Sequence, residues 1–347
     1  MEAFMEQKRL TAGPLLNADG ILSEAGYATS LVKKYDRNAV KGGKTRIKEW
    51  DYYLIYNDKF GVALTLDDNS YMGMVSASFL DFEQRKERTV SPMFWLPFGK
   101  TGFPASSKEG NVEKSMKGAF ASFTHEDGAR HLTVCLENFE NGTPFTCEFT
   151  LTEEPADSMV IATPFPKKKT AFYYNQKIIG MKASGYAEYN GKRYDFDPEN
   201  SFGLLDWGRG VWTYNNTWYW SAAQGVVDGL RFGFNLGYGF GDTSKASENM
   251  IFVNGAAQKL DRVVFEIPQK DGKDDFLKPW SVHDNEGRLN LIFRPFLDRK
   301  SKTDVLVICS DQHQVFGTFS GSVTLDDGTV LNLTGLTGFA EKVKNRW

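Results

Sequence analysis

The chain has 347 residues, with 41 Lys and Arg against 44 Asp and Glu, a formal net charge of -3. That length suits two domains with cores large enough to need no staples, and without a basic excess a protein that grips nucleic acid through its phosphates is excluded. Three cysteines rule out a disulfide framework, and a charged fraction of 24% argues against disorder.

The opening MEAFMEQKRL lacks the charged-then-apolar pattern of a signal peptide. No apolar run reaches the ~18 residues of a membrane helix, so a cytoplasmic protein with no integral membrane segment is expected. Asn17 to Lys34 has room for one short helix, with Ser23 as a cap before Glu24. Asp-Gly and Asn-Gly pairs punctuate the whole chain, from Asp19-Gly20 to Asp327-Gly328, and such pairs accept the positive φ angles of tight hairpins. Short β-branched and aromatic runs lie between them, such as Arg130 to Leu136 and Thr329 to Leu333. The chain therefore reads as mostly antiparallel β.

In Arg46 to Tyr56 (RIKEWDYYLIY) an extended backbone puts Glu49, Asp51 and Tyr53 on one face and Arg46, Lys48, Trp50 and Tyr52 on the other. Charge placement on an edge strand accounts for this pattern more simply than a site between two halves. His125 and His131 straddle a hairpin turn with no CxxC or HExxH string nearby, and no metal site is expected. Two prolines and three lysines at Pro164 to Lys169 do not suit a central strand. They read as a solvated seam dividing residues 1–165 from 166–347.

Phe202 to Leu260 is the richest stretch. Along Leu204 to Trp212, Asp206, Gly208, Gly210 and Trp212 share a face opposite Trp207 and Arg209. Asp206 and Arg209 are close enough in sequence to pair. An Asp beside Arg stays ionised, whereas one among tryptophans is raised and can donate a proton. Trp207, Trp212, Tyr214, Trp218 and Trp220 crowd the span. Their flat faces suit polyenes, terpenoids, flavonoids or sugars, and they also suit a plain core. In Arg231 to Asp242, Phe232, Phe234, Leu236, Tyr238 and Phe240 alternate with Asn235 and a row of glycines, which asks for curvature or for the close approach of a ligand or another backbone. Asp242, Ser244, Ser247, Glu248 and Asn249 then form a dense polar cluster. It is either a satisfied turn or the source of a second carboxylate in Glu248. Ser310 to His313 holds the residue types of a hydrolase triad, but adjacent residues rarely assemble one. Leu336 to Trp347 suits a helix or a strand.

At FGLLDWGRGVWTYNNTWYWSAAQG and NLGYGFGDTSKASENMIF the chain resembles the bacterial family catalogued as domain of unknown function 2804. RIKEWDYY, PFPKKKTAFYYNQKI, QVFGTFSG and GFAEKVKNRW extend the resemblance over nearly the whole length. That family is in turn similar to tandem lipocalin-like proteins of the carotenoid hydratase and fungal cyclase type. The resemblance implies an all-β fold of two packed antiparallel barrels, with a pocket for an apolar substrate and an acid side chain that protonates or orients an alkene. Two positions depart from the expected pattern: Gln258 stands where a His is expected, and Ile179-Gly180 where the strand would read Asn-Cys.

The expectation for function is a cofactor-free hydratase, isomerase or cyclase acting on a hydrophobic or aromatic small molecule. Asp206 is the general acid and Glu248 its base, with Arg209 tuning Asp206 or holding a substrate oxygen. Trp207, Trp212, Tyr214, Trp218, Trp220, Asn235, Asp242 and Asn249 contact the ligand. A non-catalytic carrier of a lipid, pigment or terpenoid is the alternative, and a carbohydrate binder the next.

Overall fold

Six of the eight Asp-Gly and Asn-Gly pairs put both residues at positive φ, as Asp127 (52°) and Gly128 (74°) do. This is the mirror-image turn whose twist matches two right-twisted strands, and it makes successive strands antiparallel neighbours. The computed structural model describes residues 6–305 and 308–346. Residues 1–5 of the opening segment and Trp347 of the C-terminal one lie outside the described residues.

The strands form two large sheets. The first runs Lys86–Val90, Met72–Asp81, Phe60–Asp68, Lys48–Tyr56, Phe202–Val211, Phe172–Tyr189, Thr143–Thr152, Ala129–Glu140, Ala119–Glu126 and Val112–Met116. It wraps a core that includes Tyr53, Phe79, Phe123, Phe145, Tyr174 and Trp207. The second runs Ala256–Lys259, Met250–Val253, Leu230–Tyr238, Asn215–Val227, Val330–Arg346, Ile308–Thr324, Leu289–Val305, Trp280–Asp284 and Val263–Glu266. Its core includes Phe232, Phe234, Trp280, Phe293 and Phe319. The fold is all-β, two lipocalin-like antiparallel barrels in tandem, and the C-terminal segment is a strand to Arg346.

A third apolar cluster lies between the barrels. Strand parity builds it, because alternate residues point out of each barrel. Tyr52, Leu54, Tyr173, Ile179, Leu204 and Trp212 come from the first, and Trp220, Ala222, Phe316 and Phe339 from the second. The Gly-rich strand explains how close the two sheets come. A Cβ on Gly233 would lie 2.7 Å from Ile179 Cγ2, so the small residue is what admits the other barrel. Ile179 reaches it from a bulge between Ile178 and Met181, where Gly180 takes φ 89° and its N–H donates to Gln224 Oε1 across the seam at 2.7 Å.

Four sequence expectations need correction. Asn17 to Lys34 holds no helix: Ser23 Oγ donates to the Pro14 carbonyl (2.7 Å) and Glu24 pairs with Lys33 (2.8 Å), so both residues are spent on tertiary contacts. The sheets do not divide at residues 165–166. Phe172–Tyr189 and Phe202–Val211 pair with the first sheet, and the crossing falls between Val211 and Asn215. DWGRGVW therefore starts in the first barrel, not the second. Lys48–Tyr56 is a central strand, flanked by Phe60–Asp68 and Phe202–Val211, and its two chemically distinct faces serve the barrel interior and the seam. Finally, Phe240 leaves the face of Phe232 and Phe234: Gly239, at φ 92°, turns the chain and Phe240 joins the seam.

Candidate functional site

The candidate site is the polar part of that seam, and it begins with one cross-strand pair. Lys177 and Asp206 are register partners on adjacent strands, and both point out of the first barrel. Lys177 Nζ is 3.0 Å from Asp206 Oδ1. Asn175, two residues before Lys177 and so on the same face, donates to the same oxygen at 2.6 Å and to the Trp207 carbonyl at 2.7 Å. Asp206 is 8% exposed, so the pair is almost wholly withdrawn from solvent.

The second barrel supplies the opposite wall. The Trp220 ring centre lies 4.0 Å from Lys177 Nζ, a cation–π contact between the barrels. Trp220 Nε1 donates to Asn235 Oδ1 (2.8 Å), and Asn235 Nδ2 donates to the Glu248 carbonyl (2.8 Å). Glu248 lies over Gly237, where a Cβ would come within 2.6 Å of its Cδ. Trp218 Nε1 donates to Glu341 Oε1 at 2.8 Å, and Gln314 Nε2 donates to Glu341 Oε2 at 3.3 Å. Gln314 Oε1 in turn accepts from Arg299 (2.8 Å) and from the Tyr52 hydroxyl (3.2 Å). Trp212 and Trp218 both meet Phe240 edge-on, at 5.3 and 5.2 Å between ring centres, and close the apolar side.

Burial dominates the proton affinities. It pushes the Glu341 carboxyl up to about 7, against the opposing Trp218 hydrogen bond and the Lys177 charge. Glu248 is also raised by burial, opposed by Lys177 and reinforced by the charge of Asp206. The Tyr173 phenol is driven well above its ordinary value by burial and by Asp206, Glu248 and Glu341. Lys177 thus pairs with Asp206 and acts on both raised carboxyls, joined by Lys259 at Glu248 and by Arg299 at Glu341.

Of the residues named from sequence, Asp206, Glu248, Trp212, Trp218, Trp220 and Asn235 come together in the seam. Arg209 and Trp207 do not. Parity turns both into the first barrel, where Arg209 Nη1 is 3.1 Å from Asp51 Oδ1 and the guanidinium lies 4.2 Å from the Trp207 ring centre. The cation beside Asp206 is Lys177. Tyr214 lies in the link between the sheets, 40% exposed. Asp242 accepts from the Ser244 N–H (3.0 Å), closing its own turn. Asn249 clips the Gly237 N–H (2.7 Å) to the Asp261 carbonyl (2.8 Å). Gln258 accepts from the Asp326 N–H at 2.8 Å. His313 stacks on Phe276 and bonds Asp298 (2.8 Å), while Ser310 donates to Asn345 (2.7 Å), so Ser310 to His313 builds no triad. Among the described residues no group of three or more His, Cys, Asp or Glu is placed to hold a metal ion.

Sequence reasoning missed Lys177, Asn175, Tyr173, Glu341 and Gln314. A signal existed for the first two: in FYYNQKII the polar Asn175 and Lys177 fall on one parity between Tyr173 and Ile179. Glu341 has the same parity as Phe339.

No curated protein matches the sequence. Solved structures resemble the fold, among them two that span nearly the whole chain. One is a protein of Nitrosomonas europaea described as an AttH, at 12% identity and a TM-score of 0.54, covering 96% of this chain and 98% of that one. The other is kievitone hydratase from Nectria haematococca, at 12% identity and a TM-score of 0.47, covering 99% of this chain and 98% of that one. At such identities the likeness is one of fold. Residues 6–347 match the family described as Domain of unknown function (DUF2804), and the chain belongs to that family.

Proposed function

We propose that the protein is an enzyme that moves a proton on a hydrophobic or aromatic small molecule in the seam between its barrels, by hydration, isomerisation or cyclisation. One observation carries this reading: Asp206 and Lys177 from one barrel converge with Glu248 and Glu341 from the other, beside Trp212, Trp218 and Trp220. A seam that only glued two barrels together would gain little from three carboxyl groups gathered at Lys177. Acid–base chemistry uses such an arrangement, because it needs carboxyl groups of different proton affinity within reach of one substrate.

The roles follow from the partners. Asp206 is half of an ion pair and serves as proton acceptor, and Glu341, at about 7, serves as donor. Glu248 is the second raised carboxyl and lines the Gly-rich side. These assignments replace the sequence-based pairing of Asp206 as acid with Glu248 as base.

The test is a panel of terpenoids and flavonoids, read by tryptophan quenching and by product analysis. The expected result is quenching and conversion of at least one compound, with turnover lowered about 100-fold or more in Asp206→Asn and Glu341→Gln while quenching persists. Quenching without conversion would identify a carrier instead, and no quenching by any apolar compound would remove both readings.

A further inference from the structure

The first barrel carries a feature that the seam chemistry does not use. In the segment Met93 to Phe98, Met93 is 45% exposed, Trp95 67%, Leu96 59% and Phe98 44%. These four side chains occupy six consecutive positions, and a run of this kind is what distinguishes a contact surface from scattered exposed hydrophobics. The display is built, not loose. The Leu96 N–H donates to the Tyr71 carbonyl and the Phe98 N–H to the Ser70 carbonyl, each at 3.0 Å, and Pro97 between them is buried. Leu96 (φ 55°) and Phe98 (φ 48°) both sit in the left-handed region, which costs a bulky residue about 1–2 kcal/mol. The chain thus holds large apolar groups out in water at a conformational cost.

The acid at the foot of this loop, Asp68, accepts from the Gly99 N–H (2.8 Å) and the Thr101 hydroxyl (2.9 Å) and is fully buried. Residues 37–48, 91–108 and 158–187 contain no Asp or Glu, although acids outnumber bases in the chain as a whole. The first and third segments meet: Lys168 Nζ donates to the Gly42 carbonyl at 2.5 Å, and a Cβ on Gly42 would lie 2.7 Å from the Thr170 carbonyl oxygen. They also reach the apolar loop, because the Ser70 hydroxyl donates to the Ile47 carbonyl (2.8 Å) and the Phe98 N–H donates to the Ser70 carbonyl (3.0 Å). Lys41, Lys44, Lys100, Lys167 and Lys169 are exposed. A tip that projects Trp95, Leu96 and Phe98 next to exposed lysines combines the two attractions that hold a protein at an anionic lipid surface, insertion of apolar and aromatic groups at headgroup depth and Coulomb attraction.

We propose that this rim of the first barrel docks on anionic membrane surfaces, with Trp95, Leu96 and Phe98 entering the interface and Lys44, Lys167 and Lys169 facing the headgroups. The seam need not be catalytic for this to hold, because the docking residues lie outside the Asp206 cluster.

The experiment is co-sedimentation of the full chain with vesicles of phosphatidylcholine alone and of phosphatidylcholine with phosphatidylglycerol. The expected result is binding to the anionic vesicles, weaker on the neutral ones and reduced by salt. The double variant Trp95→Ser/Leu96→Asn should lower binding about 10-fold or more, and Lys167→Glu/Lys169→Glu should do the same by charge. Both change exposed side chains, and asparagine accepts the φ of residue 96, so the thermal unfolding midpoint checks that each variant is folded. No binding to anionic vesicles at low salt would overturn the proposal, as would binding that the loop variant leaves intact. If sedimentation velocity instead gives a dimer that the loop variant converts to monomer without any vesicle binding, the patch is a self-association surface and the membrane reading is wrong.

Discussion

Lys177 and Asp206 face each other across two adjacent strands at 3.0 Å, and the same ammonium sits against the Trp220 ring of the other barrel. One side chain therefore neutralises a carboxylate of its own sheet and ties that sheet to its neighbour. The Lys177 side chain is 4% exposed and the Asp206 side chain 11%, so either change alone leaves a nearly buried charge without its partner.

Lys177→Met and Asp206→Asn should each destabilise the fold by about 2–4 kcal/mol in urea titration, and the double variant should cost clearly less than the sum. A coupling energy of about 1–3 kcal/mol is expected. Additive losses would mean that the pair is not an energetic unit and that Asp206 answers to other groups.

Gly208 lies in DWGRGVW, on the seam face two residues after Asp206, and a Cβ there would fall 2.0 Å from Trp50 Cζ2. The three atoms nearest to that Cβ all belong to the Trp50 indole. Gly208→Ala should cost about 1–3 kcal/mol by overpacking. In a Trp50→Leu background the same change should cost less than about 1 kcal/mol. Equal penalties in both backgrounds would place the strain in the backbone rather than against the indole.

The contrast between Asp206 and Arg209 marks what was legible in the sequence. Period two placed them on opposite faces, and the structure keeps them there. Alternation likewise set out the two faces of Lys48–Tyr56, and the Asp-Gly and Asn-Gly pairs announced the hairpins. Which barrel a strand joins was not legible, because hydrogen bonding between residues 172–189 and 202–211 is a long-range choice that local pattern does not encode. The prolines and lysines at 164–169 therefore looked like a boundary when they only end one strand of the first sheet. The partner of Asp206 was hidden for the same reason, since Lys177 lies 29 residues away in sequence and adjacent only in register.

Arg209 is predicted to be architectural. Its guanidinium donates to Asp51 (3.1 Å), to the Trp50 and Gly208 carbonyls (2.8 and 2.9 Å) and to the Pro104 carbonyl (3.1 Å). Arg209→Met should cost about 3–5 kcal/mol because Asp51 is left buried without its cation, and Asp51→Asn should recover part of that loss. Ligand affinity in the seam, measured below the unfolding transition, should change little. A selective loss of affinity with stability intact would return Arg209 to the site.

The pH dependence of stability supplies the last test, and its sign follows from proton counting. Glu341 is raised from 4.5 to about 7 in the folded state, so between those values the native protein holds a proton that the unfolded chain has released. The stability slope with pH is then negative: Glu341 weakens the fold as pH climbs from about 4.5 to about 7 and adds nothing further above that. Asp67, also raised to about 7 by burial, contributes with the same sign in the same window, so the wild-type slope alone does not isolate Glu341. The difference does. Glu341→Gln keeps the acceptor for Trp218 Nε1 but cannot ionise, and it should gain on the order of 1–3 kcal/mol over wild type between pH 5 and 7 in urea titrations. A variant that tracks wild type across that range would show that Glu341 is ionised in the folded protein at neutral pH, and would remove it as the proton donor of the seam.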